Sequence, residues 1–292
     1  MFSNWITKFK TENTNEATHL LMNGGKIKIE DEMEFLKNYS KTLDTNEKTY
    51  IVERRPEVFK YHIDLDIEDN EYWSKDNLIE LTKVIQEVIY SFYCIDQNVI
   101  CCIAPKKIKE SKIKTGVHLI WPKHFIRVED CLILRLALII KLYENFPNLN
   151  WDNIFDECVY TRNGFRMVGS DKLDPNTRLP ENREYNLYFI MDSKGELRTL
   201  YYNRLNTNPY SLILDTSIRY TYLEGSKLTI DFKKIPEWFE IPKEQLQKKL
   251  NKTKTKKITL GINNDKISNL IRKALPKCYK GIMIKNIEKY SD

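Results

Sequence analysis

Hydrophobic positions along the chain recur with two periods, and the switches between them outline a fold. From Val58 to Ile67, Phe59, Tyr61, Ile63, Leu65 and Ile67 alternate with Lys60, His62, Asp64 and Asp66. A period of two predicts a strand with one buried face and one wet face. Lys75 to Tyr93 changes period, with Leu78, Leu81, Ile85, Val88, Ile89 and Phe92 forming the stripe of an amphipathic helix. Asn98–Ala104 and Gly116–Trp121 read as a second and third strand, the third closed by Pro122, with a lysine-rich loop between them. Val128–Phe146 is a strongly apolar helix, with Glu129 and Asp130 in its first turn, as the helix dipole favours.

The flanks are less regular. Residues 1–50 predict short helices, of which Glu30–Leu43 is the best formed, offering Met33, Phe35, Leu36 and Tyr39 to one face. Downstream, Phe165–Val168 and Tyr185–Met191 predict strands. Ser193-Lys194-Gly195 predicts a turn into a hairpin partner over Glu196–Tyr202. Lys227–Phe232 is a last strand candidate, and Pro236 and Pro242 bracket the exit from this region. The order strand–helix–strand–strand–helix, then mostly strands, predicts an α+β fold with a largely antiparallel or mixed sheet and helices on one side. No internal repeat is visible. The expected organisation is one domain over residues 1–242, its first 50 residues helical, then a lysine-rich linker at 243–257. Residues 258–292 would be a helical tail, or the start of a downstream module, with one helical piece at Asp265–Leu275.

Composition narrows the class. The chain has 292 residues, 41% hydrophobic and 30% charged, which suits a globular protein with a real core and excludes collagen-like or wholly disordered chains. Its longest apolar stretch, Cys131–Ile140, is broken by Arg135 and falls short of the roughly 20 residues a bilayer requires. The N-terminal MFSNWITKFK carries charge where a signal peptide would carry an apolar run. Six cysteines make no CxxC pair, which removes zinc-ribbon and thioredoxin-like readings, and three of them lie in apolar segments. These features predict an intracellular, reducing location.

The net charge of +6 is concentrated. Lys243–Lys257 holds seven lysines and one glutamate, which leaves the remainder with 40 charges of each sign. That run reads either as a solvated tether or as a nucleic-acid-binding strap, since lysines release counterions from phosphates. Lys106, Lys107, Lys109, Lys112 and Lys114 surround a lone Glu110 in the basic loop.

Three places could carry chemistry. Asp64 and Asp66, at i and i+2 on one strand, point the same way, so their carboxylates repel unless a cation lies between them. On spacing alone the pair reads more readily as the wet face of a strand. His118 follows Gly116 by two, and a glycine there lets a phosphate approach the backbone while the lysine loop supplies positive charge. A lone strand histidine is more commonly a hydrogen-bonded structural residue. The third place is the segment Phe155 to Lys172, in which an apolar residue precedes Asp156, Arg166 lies on a strand and Lys172 just beyond it. Arg and Lys so placed suit an anionic ligand, and equally an ordinary surface strand.

Together and in this order, these segments resemble the archaeo-eukaryotic primase superfamily, in the branch of PrimPol-type enzymes and primases of large nucleocytoplasmic DNA viruses. Ile63-Asp64-Leu65-Asp66 is similar to the first motif, Gly116-Val117-His118 to the second and Phe155-Asp156 to the third. Val159-Tyr160-Thr161-Arg162-Asn163, Phe165-Arg166 and Ser170-Asp171-Lys172 resemble the stretch that follows the third motif. The likeness covers residues 50–175 firmly and 176–240 loosely.

The resemblance implies an RRM-like sheet with a companion α/β unit. It implies that Asp64, Asp66 and Asp156 are the catalytic ligands of two Mg²⁺ or Mn²⁺ ions, with NTP or dNTP as substrate. His118 (as a cation), Arg166 and Lys172 would hold the triphosphate, with Lys114, Ser170 and Gly116 beside them. A single-stranded DNA template would run over Lys106, Lys107, Lys109 and Lys112, with Tyr61, Tyr160 or Trp121 as stacking platforms. A superfamily 3 helicase, downstream or as a separate chain, is the implied replication partner. A viral source would place the protein in the host cytoplasm or nucleus. Gly116 departs from the Ser of many relatives, the Tyr160–Arg166 spacing is about one residue short of the cellular pattern, and no Cys/His zinc module or Walker motif is present. Two other classes compete: an inactive single-strand-binding accessory subunit, and a nucleotide-sugar glycosyltransferase using the same Asp-x-Asp.

Overall fold

The computed structural model describes residues 1–219, 226–227 and 235–239. The chain divides into two compact units, Met1–Thr229 and Ile230–Asp292. In the second, residues 235–239 contain a turn closed by the bond from Phe239 N–H to Pro236 O (2.9 Å). The lysine run and the tail lie outside the described residues.

In chain order the first unit contains helix α1 (Phe2–Ile6), strands β1 (His19–Leu21) and β2 (Lys26–Ile27), helix α2 (Glu32–Thr45) and strands β3 (Ile51–Glu53) and β4 (Phe59–Asp69). Helix α3 (Lys75–Tyr93) leads to strands β5 (Val99–Ile103), β6 (Lys107–Lys109) and β7 (Lys112–Ile126), then helices α4 (Val128–Asn145), α5 (Trp151–Ile154) and α6 (Cys158–Thr161). Strands β8 (Phe165–Arg166) and β9 (Asn186–Met191), helices α7 (Thr199–Thr207) and α8 (Pro209–Thr216) and strand β10 (Ser226–Lys227) complete it. The fold is α+β. A small sheet runs β2-β1-β3-β8 and is antiparallel throughout. In the larger sheet β7 pairs with β4, β5 and β6 antiparallel and with β10 parallel, and β9 extends the far edge beside β5.

The periodic helices form where their stripes place them. Asp31 caps α2 by accepting from Glu34 N–H (2.9 Å), and Ser74 caps α3 by accepting from Asn77 N–H (3.2 Å). Both helices end on a left-handed residue, Asn46 and Cys94. Tyr61, Ile63, Leu65 and Ile67 share the sheet face that carries Trp121, whose indole N–H donates to Gln86 of α3 (2.7 Å).

The opposite face of β4 departs from expectation. Lys60 and His62 are fully buried, and the face emerges only from Asp64 onward, through Asp66 and Glu68. Helix α8 covers the start of the strand, where the Lys60 ammonium donates to Asp215 O (3.3 Å), and Phe165 lies against His62 at 4.3 Å between ring centroids. Burial lowers the Lys60 pKa to about 8, opposed by Asp215 and Glu53.

Other differences have local causes. β7 does not close at Pro122 but runs through it, because the β4–β7 register shifts there and frees the proline from donating to the ladder. The lysine loop is a hairpin, with Glu110 left-handed at its tip. Residues 19–53 contain strands where short helices were expected, since two- and three-residue strands show no readable period. After the turn at Gly195, only Met191 bridges Leu197 and the chain enters α7, so no hairpin partner forms. The end of the predicted Lys227–Phe232 strand lies outside the described residues. Tyr61, Tyr160 and Trp121 are all fully buried, which removes them as base-stacking platforms.

The small sheet is tied to the segment after α8. Buried Glu53 accepts from the Ser217 hydroxyl and from Ile218 N–H (2.9 Å). Burial raises the Glu53 pKa to about 7, against the pull of those two donors, with Glu32 adding to the rise and Arg219 opposing it. A carboxyl whose folded pKa lies above its unfolded value stabilises the fold fully below the unfolded pKa and loses that contribution as pH rises. Denaturant unfolding should therefore show stability falling from pH 4.5 to about 7, and Glu53→Gln should flatten that part of the profile.

Candidate active site

Antiparallel pairing sets the site. Asp64 faces His118 across β4 and β7, and Asp66 faces Gly116. The third segment joins through the backbone: Phe155 bridges Leu65, and Asp156 N–H donates to Asp64 O (3.0 Å). The backbone thus brings Asp156 beside Asp64 within β4.

Their side chains each have a local partner. Asp64 Oδ1 accepts from the Tyr185 hydroxyl (3.4 Å) and stands 3.5 Å from His118 Nε2. Asp66 Oδ2 is 2.5 Å from the Lys114 ammonium, and Asp156 Oδ1 accepts from Cys158 N–H (2.8 Å). Among the described residues no three His, Cys, Asp or Glu side chains form a metal cage. The donor chemistry nevertheless fits a hard divalent cation, since all three acids offer oxygen. Lys114 supplies a positive charge at Asp66.

The cations gather around the pair. Burial pushes the Asp64 carboxyl up, but His118, Arg166 and Lys114 outweigh it and hold the carboxyl below its ordinary range. Burial lowers the His118 pKa, with Asp64 opposing, so the ring is mainly neutral at pH 7 rather than the expected cation. The lowering at Asp64 comes first from His118, its partner in the buried pair, and then from Arg166 and Lys114. The Lys172 pKa is lowered by burial and by Lys114 and Arg166, with Glu181 opposing. Among the described residues the Lys172 ammonium has neither a hydrogen bond nor an ion pair.

The small sheet delivers Phe165 and Arg166 to this place, because β8 pairs with β3. Gly164 makes the preceding turn at φ 73°, where a Cβ would stand 2.4 Å from Glu53 O. Phe165 stacks on His118 (3.9 Å between centroids), Tyr185 stacks on the same imidazole (3.4 Å), and the Arg166 guanidinium lies 4.5 Å from the Tyr185 ring centroid. Arg166 also donates to Arg183 O (2.8 Å). Fully buried Asp171 accepts from the N–H groups of Lys172 (2.7 Å), Asn182 (3.1 Å) and Arg183 (2.8 Å), which folds the following loop back on itself.

Other predicted residues lie elsewhere or act differently. The Ser170 hydroxyl is fully buried and accepts from Ile51 N–H, within the fold. In the hairpin, Lys107 pairs with Glu181 (2.7 Å) and Lys109 with Glu68 (2.9 Å), while Lys106 and Lys112 make no ion pair among the described residues. No sequence motif marks Tyr185 as a site residue. Its only sequence signal is a place at the start of a predicted strand, and nothing there links it to Gly116. In the structure the two are locked together, since a Cβ on Gly116 would meet the Tyr185 hydroxyl at 2.9 Å. The space above this glycine holds a tyrosine rather than an open approach for phosphate.

The family model described as the C962R protein N-terminal AEP domain matches residues 18–190, more than half of the chain. No curated protein matches it.

Gly116→Ala should lower stability by about 1–3 kcal/mol, the usual scale of overpacking. Adding Tyr185→Phe removes the clashing oxygen and leaves the nearest ring carbon 3.5 Å away, so the double variant should melt well above the Gly116→Ala single variant. Additive losses in thermal unfolding would rule out this contact.

Proposed function

The chain belongs to the archaeo-eukaryotic primase family, in its viral primase branch, and from that premise we propose that it is a template-directed nucleotidyltransferase, a primase or primase–polymerase of DNA replication. The observation that carries the reading is the bond from Asp156 N–H to Asp64 O, which joins the third motif to the first beside Lys114, Arg166 and Lys172. The proposed catalytic domain spans residues 1–242, with 243–257 as a basic linker.

In the proposed reaction a 3′-hydroxyl attacks the α-phosphate of a bound NTP or dNTP. The new phosphodiester forms as the bond to pyrophosphate breaks, and the hydroxyl proton passes to solvent. Asp64, Asp66 and Asp156 would hold two Mg²⁺ or Mn²⁺ ions. When bound, such ions lower the pKa of the attacking hydroxyl and neutralise the leaving group.

The remaining work belongs to the protein's own cations. Lys172 is available for the triphosphate, and Arg166, oriented by Tyr185 and Arg183 O, offers a planar fork to it. Lys114, 2.5 Å from Asp66, would offer its ammonium to the same phosphates. Neutral His118 contributes a hydrogen bond rather than a charge, fixed by the rings on either side of it. Holding charge in a partly buried, preorganised setting is the largest electrostatic lever a protein has on such a transfer.

Primer extension with labelled nucleotides, with Mg²⁺ or Mn²⁺, tests this directly. The wild type should extend. Asp64→Ala and Asp66→Ala should each lose about 10²–10³-fold or more, the scale of removing a preorganised electrostatic group, while single-strand binding is kept. Full metal-dependent extension by either variant would remove these acids from the metal site. Binding without any extension by the wild type would favour the accessory-subunit reading.

A further inference from the structure

In the middle of helix α4, flanked in sequence by buried Ile133, Leu134, Ala137 and Leu138, lies Arg135, with 13% of its side chain exposed. A largely buried guanidinium is costly unless its donors are matched. Here they are matched, and on one short segment. Arg135 Nε donates to Phe155 O (3.0 Å), and Nη2 donates to Phe155 O (2.7 Å) and to Asp152 O (2.8 Å). Nη1 stands 3.5 Å from Glu157 Oε2, and the guanidinium carbon lies 5.3 Å from the Phe155 ring centroid.

The carbonyl that Arg135 grips twice belongs to the peptide unit that carries Asp156 N–H. That N–H donates to Asp64 O (3.0 Å). One planar unit is therefore held at both ends, its oxygen by a forked cation on α4 and its N–H by the strand of the first acid. Anchors on opposite edges of a rigid plane fix where the Asp156 Cα stands. The bond from Cys158 N–H to Asp156 Oδ1 (2.8 Å) then limits how the carboxyl turns. A lysine at this place would keep the charge and lose the fork, because one ammonium cannot span two carbonyls and also lie flat on a ring.

We propose that Arg135 is a positioning residue, which clamps the Phe155–Asp156 peptide unit against β4 and so sets the third carboxylate beside the first. The inference rests on the nucleotidyltransferase reading for its purpose, while the clamp itself is measurable without metal or nucleotide. The competing role is a cap on the short helix α5, whose end these carbonyls form.

Two variants of the full chain test it. Arg135→Lys keeps the charge and the aliphatic stem, and Arg135→Met removes the charge as well; if Arg135→Met does not fold, Arg135→Lys carries the test alone. Hydrogen exchange in EDTA, read residue by residue, should show the Asp156 amide exchanging roughly ten-fold faster or more, with the amides of the β5–β7 ladder unchanged. Mn²⁺ alone, titrated against the chain and read by the electron paramagnetic resonance of the free ion, should bind about 10–100-fold more weakly. In primer extension the Mn²⁺ concentration for half-maximal rate should rise by a similar factor and kcat should fall, while the nucleotide KM, assigned to Arg166 and Lys172, stays at its wild-type value. A cap alone would lower the melting temperature and leave metal binding unchanged.

Wild-type exchange at Asp156, faster exchange spread evenly over the chain, or faster exchange at Asp156 with wild-type Mn²⁺ affinity would each overturn the proposal. A wild type that binds no Mn²⁺ and extends no primer would remove the transferase reading, and faster exchange confined to Asp156 in the variants would then still support the clamp.

Discussion

The long antiparallel pairing of β4 with β7 is the constraint on which the site depends. It sets Asp64 opposite His118 and Asp66 opposite Gly116, and it turns both aspartates away from the helix-covered face. A slip of one residue would exchange the two faces. Ile63 and Leu65 would then emerge where the carboxylates now stand, and the aspartates would enter the apolar layer under α3. The register shift near Pro122 lies beyond His62, away from the carboxylates, so the irregularity is absorbed without disturbing them.

From this ladder a column of rings crosses to the small sheet. His62 lies tilted against Phe165, which stacks on His118, which stacks on Tyr185, and Arg166 closes the column over Tyr185. The two sheets are thus held together by the residues that also position the polar groups. Burial within the column lowers the His62 pKa to about 3, opposed by its bond with Lys60 O, and lowers that of His118 as well. Neutral imidazoles can pack between aromatic faces with a small desolvation cost, whereas charged ones could not. The positive charge of the site therefore falls to Lys114, Arg166 and Lys172, which border the column instead of lying within it.

The hairpin continues the same geometry outward. β7 carries Lys114 to Asp66 and then, two residues earlier in the chain, Lys112 to solvent. β6 returns Lys107 to Glu181, which links the hairpin to the loop that Asp171 folds. Lys114 beside Asp66 and the exposed Lys112 thus lie on one continuous strand.

The sequence by itself determined the large periodic elements and the family. The stripe of α3 and the alternation of β4 were readable because each reports which way a side chain points within its own element. Residue type and motif order singled out Asp64, Asp66, Asp156, Lys114 and Arg166, and that is as far as local identity reaches. Tertiary structure alone decided what covers each face. His62 and Lys60 alternate like wet positions, yet α8 and Phe165 bury them. Tyr61, Tyr160 and Trp121 read as available rings and lie in the core. Gly116 reads as room for a ligand and is filled by Tyr185, a residue far along the chain. Period and identity are local properties, whereas burial, ring stacking and the lowered pKa values arise from groups brought together only when distant segments pack.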